Sequence, residues 1–521
     1  MRQEFASAYL EKKEFNRTQE FRQEELRDFL KECLSRPRQR PTYLLVDGLD
    51  ECDEREVRDL ITYLRDVTDA ALSRGRNLSV CISSRRYPTI IISRCPEIDI
   101  EGFNRSDVSK YVYQKIQAHA DGSIPTRLAD IVNRKASDVF LWAVLVVEML
   151  LRGWDNGVPL HELEHNAQQA PVEMDKIFDA LTTGIPDQDR AKSLQLFQWV
   201  VLAQIPLGPR AISLALAFSE EVHPSSFSDH IALDMDSIDI ERFVLRTTHL
   251  SRGLIEFATM KNGKIVAQVI HESVREWFLT SGFVRLDQRL LPYTIARLHL
   301  DMVSTCSKIA KSGDFKTIHQ DKPLLWSGCA YANDQVESMR LTVRHKIECL
   351  ELTGYSVDYI FVHARKAEDF GSIPDQMLYD LCLPQSVLFH RLVNASTGNQ
   401  LHWMSSAHGP LAMICAFLTP ASLSWALQNG TAPELRAINH NVVNICMSIK
   451  PWSESWAMLD ILDATKPLRF IRDRRGQTGL HWACQKFFFY DWGDAEQRNA
   501  IKFWLKVGVS IDEQDDEGKS T

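Results

Sequence analysis

Three carboxylates close the apolar run Tyr43-Leu44-Leu45-Val46-Asp47-Gly48-Leu49-Asp50-Glu51-Cys52. Acids delivered from the carboxyl end of a strand can hold Mg²⁺ and polarise water against a phosphate. In that chemistry Asp47 takes the metal directly or through water, and Asp50 or Glu51 orients the attacking water. A second apolar run, Asn77-Leu78-Ser79-Val80-Cys81-Ile82, ends in Ser83-Ser84-Arg85-Arg86, and Arg85 is placed to sense a terminal phosphate. The plainer reading is a strand-to-helix corner whose acids cap the next helix. The Ser-Ser-Arg end of the second strand favours nucleotide-type ancestry, which is a narrower claim than activity.

Such acids normally act with a glycine-rich turn, G-x-x-x-x-G-K-[ST], whose backbone amides cradle the phosphates. Gly48 is the first glycine of the chain, so no such turn precedes the strand within it. Gly518-Lys519-Ser520 has the tripeptide in the wrong surroundings: Glu513 stands at the first loop glycine, and Asp515, Asp516 and Glu517 repel phosphate. The expectation is an acidic half-site without its cradle, leaning away from enzyme activity. A reading frame cut at both ends is a competing expectation, which upstream sequence encoding the turn would reveal.

The elements that must position these groups follow from periodicity. Residues 19–34 place Leu26, Phe29, Leu30, Cys33 and Leu34 at helical spacing, and Pro37 and Pro41 break the chain before the acidic strand. A helix from about Glu54 to Leu72 carries Val57, Leu60, Ile61, Leu64 and Val67 on one face. Strand, helix, strand implies a βαβ unit in a parallel sheet, where ligands collect at the strands' carboxyl ends. Asp47, Asp50, Glu51 and Arg85 are therefore expected in one crevice.

A chain of 521 residues that is 45% hydrophobic can bury several cores, about three or four domains by length. The formal charge of −9 argues against nucleic acid as a partner, and the only basic run, Arg36-Pro-Arg-Gln-Arg40, reads as a loop. Eleven scattered cysteines without a C-x-x-C pair argue against a disulfide framework or a zinc site and fit a reducing cytoplasm. Met-Arg-Gln-Glu-Phe lacks the apolar core of a signal peptide. The apolar run from Val139 to Leu151 carries Glu148 and is too short to span a bilayer.

The segments Tyr43 to Cys52, Ile82 to Pro88, Ile98 to Val112 and Lys135 to Val147 together resemble the NACHT branch of the STAND NTPases, especially the fungal NOD-like proteins with nephrocystin-type NTPase domains. That resemblance implies an NTPase core, a helical lid and a winged helix closing around Mg-ATP or ADP. It also implies a switch in which ATP binding permits self-association and signalling, commonly in nonself recognition. Val269-Ile270-His271-Glu272-Ser273 resembles the family's Met-His-Asp motif, which implies that His271 holds the diphosphate state; packing and capping of the next helix is an equal alternative. The chain departs from the family pattern at the phosphate cradle, which puts nucleotide binding in doubt.

The C-terminal part is repetitive. Cys415 to Cys446 and Trp425 to Trp456 both shift by 31 residues, and a third copy, Thr478-Gly479-Leu480-His481-Trp482-Ala483-Cys484, precedes Trp504 across an insertion around 490–493. A period of about 33 residues with two helices per unit marks a solenoid. The third copy resembles the ankyrin signature, with Gly479 in place of proline and Asp473-Arg474-Arg475-Gly476 as the preceding turn. Asp515 to Gly518 opens another such turn, so the last unit is expected to fray or bind something. Recurrent Trp and Cys are read as core.

The fold expected is multidomain α/β plus all-α: residues 1–104 a partial P-loop-type parallel sheet, 105–170 a helical lid, 171–285 a winged helix, 286–400 a helical spacer, and 401–521 degenerate ankyrin repeats. The spacer is expected to have loops at Pro323, Gly354 and Gly371 and to carry no chemical constellation. The functional expectation is a NACHT-like signalling or interaction protein, deficient in nucleotide binding, that meets protein partners through its repeats. Two alternatives stand beside it: an active Mg-ATP or GTP switch, and an ankyrin adaptor whose front half is scaffold.

Overall fold

The computed structural model describes residues 23–35, 41–49, 52, 54–84, 95–98, 100, 103–119, 124–136, 139–220, 240–260, 263–312, 337–371, 411, 414–415, 418–429, 438–448, 452–484 and 494–521. The basic run at 36–40, the Pro323 loop and the insertion at 490–493 lie outside them. The chain divides into two compact units, Met1–Gly102 and Phe103–Thr521.

In the first unit, α1 (Gln23–Ser35), β1 (Thr42–Val46), α2 (Glu54–Ser73) and β2 (Leu78–Ile82) follow in order. The strands pair in parallel from Thr42↔Leu78 to Val46↔Ile82, so both end at one level. A parallel pair needs a crossover, and α2 supplies it. Its apolar stripe buries Val57, Leu64, Val67 and Ala71, close to the expected face. The buried Arg76 ties the unit together: its guanidinium donates to the Cys33 carbonyl at 3.0 Å and to Thr42 Oγ1 at 2.6 Å. The strands alternate rather than bury both faces. Tyr43 and Leu45 are 70% and 77% exposed.

Among its described residues the second unit is helical apart from one hairpin and an isolated bridge between Gln514 and Ser520. It opens with α3 (Arg105–Ala118), α4 (Thr126–Ala136), α5 (Phe140–Asp155) and α6 (Leu160–Gln169). The apolar run at 139–151 forms most of α5, which buries Trp142, Val146, Val147, Leu150 and Leu151 among the other three helices. No helix among the described residues is long and apolar enough to cross a membrane.

Next come α7 (Met174–Thr183), α8 (Asp187–Leu202), α9 (Pro209–Ser219) and α10 (Ile240–Leu250), the antiparallel strands β3 (Ile255–Thr259) and β4 (Ile265–Val269), and α11 (Glu272–Trp277). Pro209 occupies the first turn of α9, where its missing N–H costs nothing. The helix beyond α11 widens into a π-turn at Phe278–Gly282 before α12 (Phe283–Leu286). Gly282 is required there, because a Cβ would lie 2.5 Å from the Trp277 ring. Phe278 in turn stacks on Phe197 of α8 with ring centroids 4.0 Å apart.

The loop expected at Gly354 is absent. Gly354 lies in no loop: it is inside α14 (Glu337–Asp369), which packs along α13 (Thr294–Lys311). Burial of that glycine between two helices outweighs its poor helix propensity. Within α14, Leu352, Tyr355, Ile360, Phe361 and Ala364 are buried. Glu351 fastens α14 to the hairpin region by accepting from the Gly208 amide at 3.0 Å and pairing with Lys264 at 2.8 Å.

The last elements are α15 (Pro420–Asn429), α16 (His440–Ser448), α17 (Trp452–Thr465), α18 (Gly479–Cys484) and α19 (Asp494–Val507). α16 packs on α17 and α18 on α19, and α17 also meets α15 and α19. Cys415 and Cys446, which share a repeat position 31 residues apart, touch through their thiols, and that hydrogen bond together with burial pushes Cys415 well above the usual thiol range. The indole of Trp504 fills the space above Gly479, where a Cβ would come within 2.0 Å of it.

Candidate functional site

The strand register places Asp47 and Ser83 side by side just beyond β1 and β2. Backbone bonds extend the ladder past the strands: the Ser83 amide donates to Val46 O at 2.8 Å, and the Leu49 amide donates to Ser83 O at 3.0 Å. Gly48 makes the turn between them at a φ of 65, a left-handed conformation that favours glycine. Its amide donates to Ser83 Oγ at 3.0 Å, and that hydroxyl donates to Asp47 Oδ1. The serine hydroxyl is thus used in both directions. Its bond to Asp47 uses one acceptor site of Oδ1, and the contact is with one of the two carboxylate oxygens.

Asp50, Glu51 and Arg85 lie outside the described residues. His271 belongs to the second compact unit and is the N-cap of α11, where its Nδ1 accepts from the Ser273 amide at 3.1 Å and sits 2.6 Å from Ser273 Oγ. With Nδ1 accepting, the neutral ring carries its proton on Nε2. Among the described residues no group of three or more His, Cys, Asp or Glu could hold a metal ion.

The clearest buried polar chemistry lies where none was expected. His299 of α13 and His363 of α14 are 2% and 0% exposed, with their Nδ1 atoms 2.9 Å apart. His363 Nε2 is 2.6 Å from Tyr355 Oη, and the Gln204 amide donates to that same oxygen at 3.1 Å. A chain running from the Gln204 amide to the phenol, then from the phenolic O–H to His363 Nε2, then from His363 Nδ1–H to His299 Nδ1, uses every atom of these contacts once. Both rings must stay neutral for it to run that way. Burial, reinforced by the nearby Lys366, lowers His299 to about 4; burial also holds His363 well below the usual imidazole range, with His299 and Lys366 adding to it.

Two acids of the same helices are shifted the opposite way. Burial raises Asp301 to about 6 against the pull of Lys308 and Arg297, and raises Glu368 to about 7 although the Thr419 amide donates to it at 3.0 Å. The signal that could have located the histidines is their place on apolar stripes, with Met302, Val303 and Cys306 following His299 and Tyr359 and Ile360 preceding His363. Their pairing, across 64 residues of chain, carries no sequence signature.

With this geometry in hand, comparison with known proteins adds one match. The model of the nephrocystin 3 N-terminal family, which is related to NACHT-type NTPases, matches residues 1–85. That span contains the whole of α1, β1, α2 and β2 and both Asp47 and Ser83. No curated protein and no solved structure matches the chain.

Proposed function

We propose that this protein is a NACHT-like signalling or interaction protein that does not depend on bound nucleotide and works through protein contacts made by its C-terminal helix pairs. The observation that carries the first half is the Ser83 hydroxyl on Asp47. A strand-end acid of this kind acts on a phosphate as a metal ligand, and here one of its two oxygens already accepts from a neutral donor in a turn closed by Gly48. The match to the nephrocystin 3 N-terminal family supports the ancestry. Without a glycine-rich cradle in these 521 residues, the remaining acids repel a polyphosphate unless Mg²⁺ bridges them. His271 then serves as the cap of α11 and not as a diphosphate ligand.

The second half is supported by two turns that repeat one construction. Asp473 Oδ1 accepts from the amides of Arg475 and Gln477, and Asp515 Oδ1 accepts from those of Glu517 and Lys519. The turns stack: the Asp516 amide donates to Arg475 O, and Gln477 Nε2 to Asp515 Oδ2. Thr478 and His481 bond to each other at 2.9 Å between hydroxyl and Nδ1, and the imidazole reaches the Lys519 carbonyl at 3.2 Å. Contacts from one turn to the next suit a stack in which each unit touches only its neighbours, and such arrays present extended surfaces to protein partners. We read 171–285, with its helices and β3–β4 hairpin, as a winged-helix module and 105–170 as the lid.

Isothermal titration of the full chain with Mg-ATP and with Mg-ADP tests the reading. No heat of binding at ligand concentrations near 1 mM is expected, on the order of the weakest affinity worth calling specific. Micromolar affinity for either nucleotide overturns it.

A further inference from the structure

A cavity of about 450 Å³ opens in the second unit between α8, the end of α9, the turn at Leu286–Arg289 and the C-terminal half of α13. It lies outside the first unit that holds Asp47, and no function above uses it. Its wall carries three acids, Asp187, Asp287 and Asp301, and three bases, Arg190, Arg289 and Lys308. Most are committed to each other. Arg190 Nε pairs with Asp187 at 3.1 Å, and Arg289 grips Asp287 with Nε and Nη2, each at 2.9 Å.

Two groups on one face of α13 are not so committed. The Asp301 carboxylate receives no hydrogen bond and makes no ion pair among the described residues, although its own backbone carbonyl accepts from Thr305. Lys308 donates once, to Glu220 O at 2.9 Å, and an ammonium has three donors. They stand seven residues apart, which brings them to the same face two turns apart, about 10 Å along the axis before their side chains lean together. Between and opposite them the wall is made of groups that accept or donate without charge, Gln195, Ser304 and Thr305, beside the apolar Leu194 and Leu286.

We propose that this cavity binds a small zwitterion, with its ammonium on Asp301 and its carboxylate on Lys308. A plain amine satisfies Asp301 but adds a positive charge beside Lys308 and Arg297, whereas a plain anion meets Asp301 itself. A dipolar molecule with charges a few carbons apart answers both free groups and matches a wall with equal numbers of acids and bases.

The test is titration of the full chain with 4-aminobutyrate, followed by protein-detected NMR or calorimetry, with 1-aminobutane and butyrate as single-charge controls. The zwitterion is expected to bind at least about ten-fold more tightly than either control, because each end makes a charge-assisted bond. Asp301→Asn and Lys308→Met should each weaken it by about ten-fold or more while leaving the circular dichroism of the protein unchanged. Affinity should also fall as pH drops through about 6, where Asp301 protonates. Lys308 and Arg297 on α13 oppose that protonation, and the other charged groups lining the cavity are Asp187 and Arg190 on α8 and Asp287 and Arg289 on the turn. No binding of the zwitterion, equal binding of 1-aminobutane, or an Asp301→Asn protein that binds as well as the original overturns the proposal.

Discussion

Replacing both buried imidazoles, His299→Gln with His363→Gln, should remove an acid sensitivity that belongs to the α13–α14 contact alone. Each histidine is held neutral in the fold, so the unfolded chain binds more protons as pH falls below 6.5, and the stabilisation present above 6.5 is lost on the way down to the folded value. For His299 that window runs from 6.5 to about 4, which at about 1.4 kcal/mol per pH unit is about 3 kcal/mol in all. Between pH 6.5 and 5 the two rings together cost about 3 kcal/mol, once partial titration of the unfolded imidazoles near 6.5 is included. Glu368 and Asp301 act in the opposite sense. Raised to about 7 and about 6, they carry a penalty at neutral pH that is relieved by acid. Total stability is therefore a poor readout, and the difference between the native and doubly substituted chains is the useful one. Hydrogen exchange read by mass spectrometry on peptides from 294–311 and 351–369, corrected for intrinsic rates, should show protection falling from pH 6.5 to 5 by about a hundred-fold more in the native chain. Parallel pH dependence in the two proteins would refute the assignment of neutral, hydrogen-bonded rings.

Gly479→Ala should destabilise the C-terminal helix pairs by about 3 kcal/mol, since the added methyl must displace the Trp504 indole; limited proteolysis within 438–521 reports it. His271→Ala should cost about 1 kcal/mol through loss of the α11 cap, and His271→Ser should recover most of it, both measured by thermal denaturation. Asp47→Ala should shift the melting temperature little, on the scale of one exposed hydrogen bond of about 1 kcal/mol, and should leave the absence of a melting response to added ATP unchanged.

Where a local rule decides the structure, the chain shows it in its sequence. β1 and β2 follow from apolar runs bounded by turn residues, and their parallel pairing from the intervening helix, because a crossover of that length permits little else. The 31-residue shift is readable as arithmetic in the sequence, and the structure adds that two residues related by it, Cys415 and Cys446, touch through their thiols. The need for glycine at 479 is supplied only by the structure: an indole from 25 residues further on occupies the site of its side chain. The 33-residue helix α14 is the opposite case. Gly354 argues locally against it, and burial against α13 overrides that preference, so its course depends on contacts no local pattern records.

The candidate site divides along the same line. The acids of the first strand end are visible as residue types, but the side chain that meets Asp47 is Ser83, 36 positions away and unremarkable beside its arginine neighbours. An arginine at a strand end suggests phosphate; a serine there becomes informative only once the register fixes which oxygen it meets. The same holds for His299 and His363, each of which in isolation reads as an ordinary core histidine. Neutral buried rings joined nitrogen to nitrogen constrain each other's tautomers, and through Tyr355 they bind the α13–α14 pair to the backbone at Gln204. A charge introduced on that chain therefore acts on the backbone just after α8, so in the second unit protonation and packing are joined at this contact.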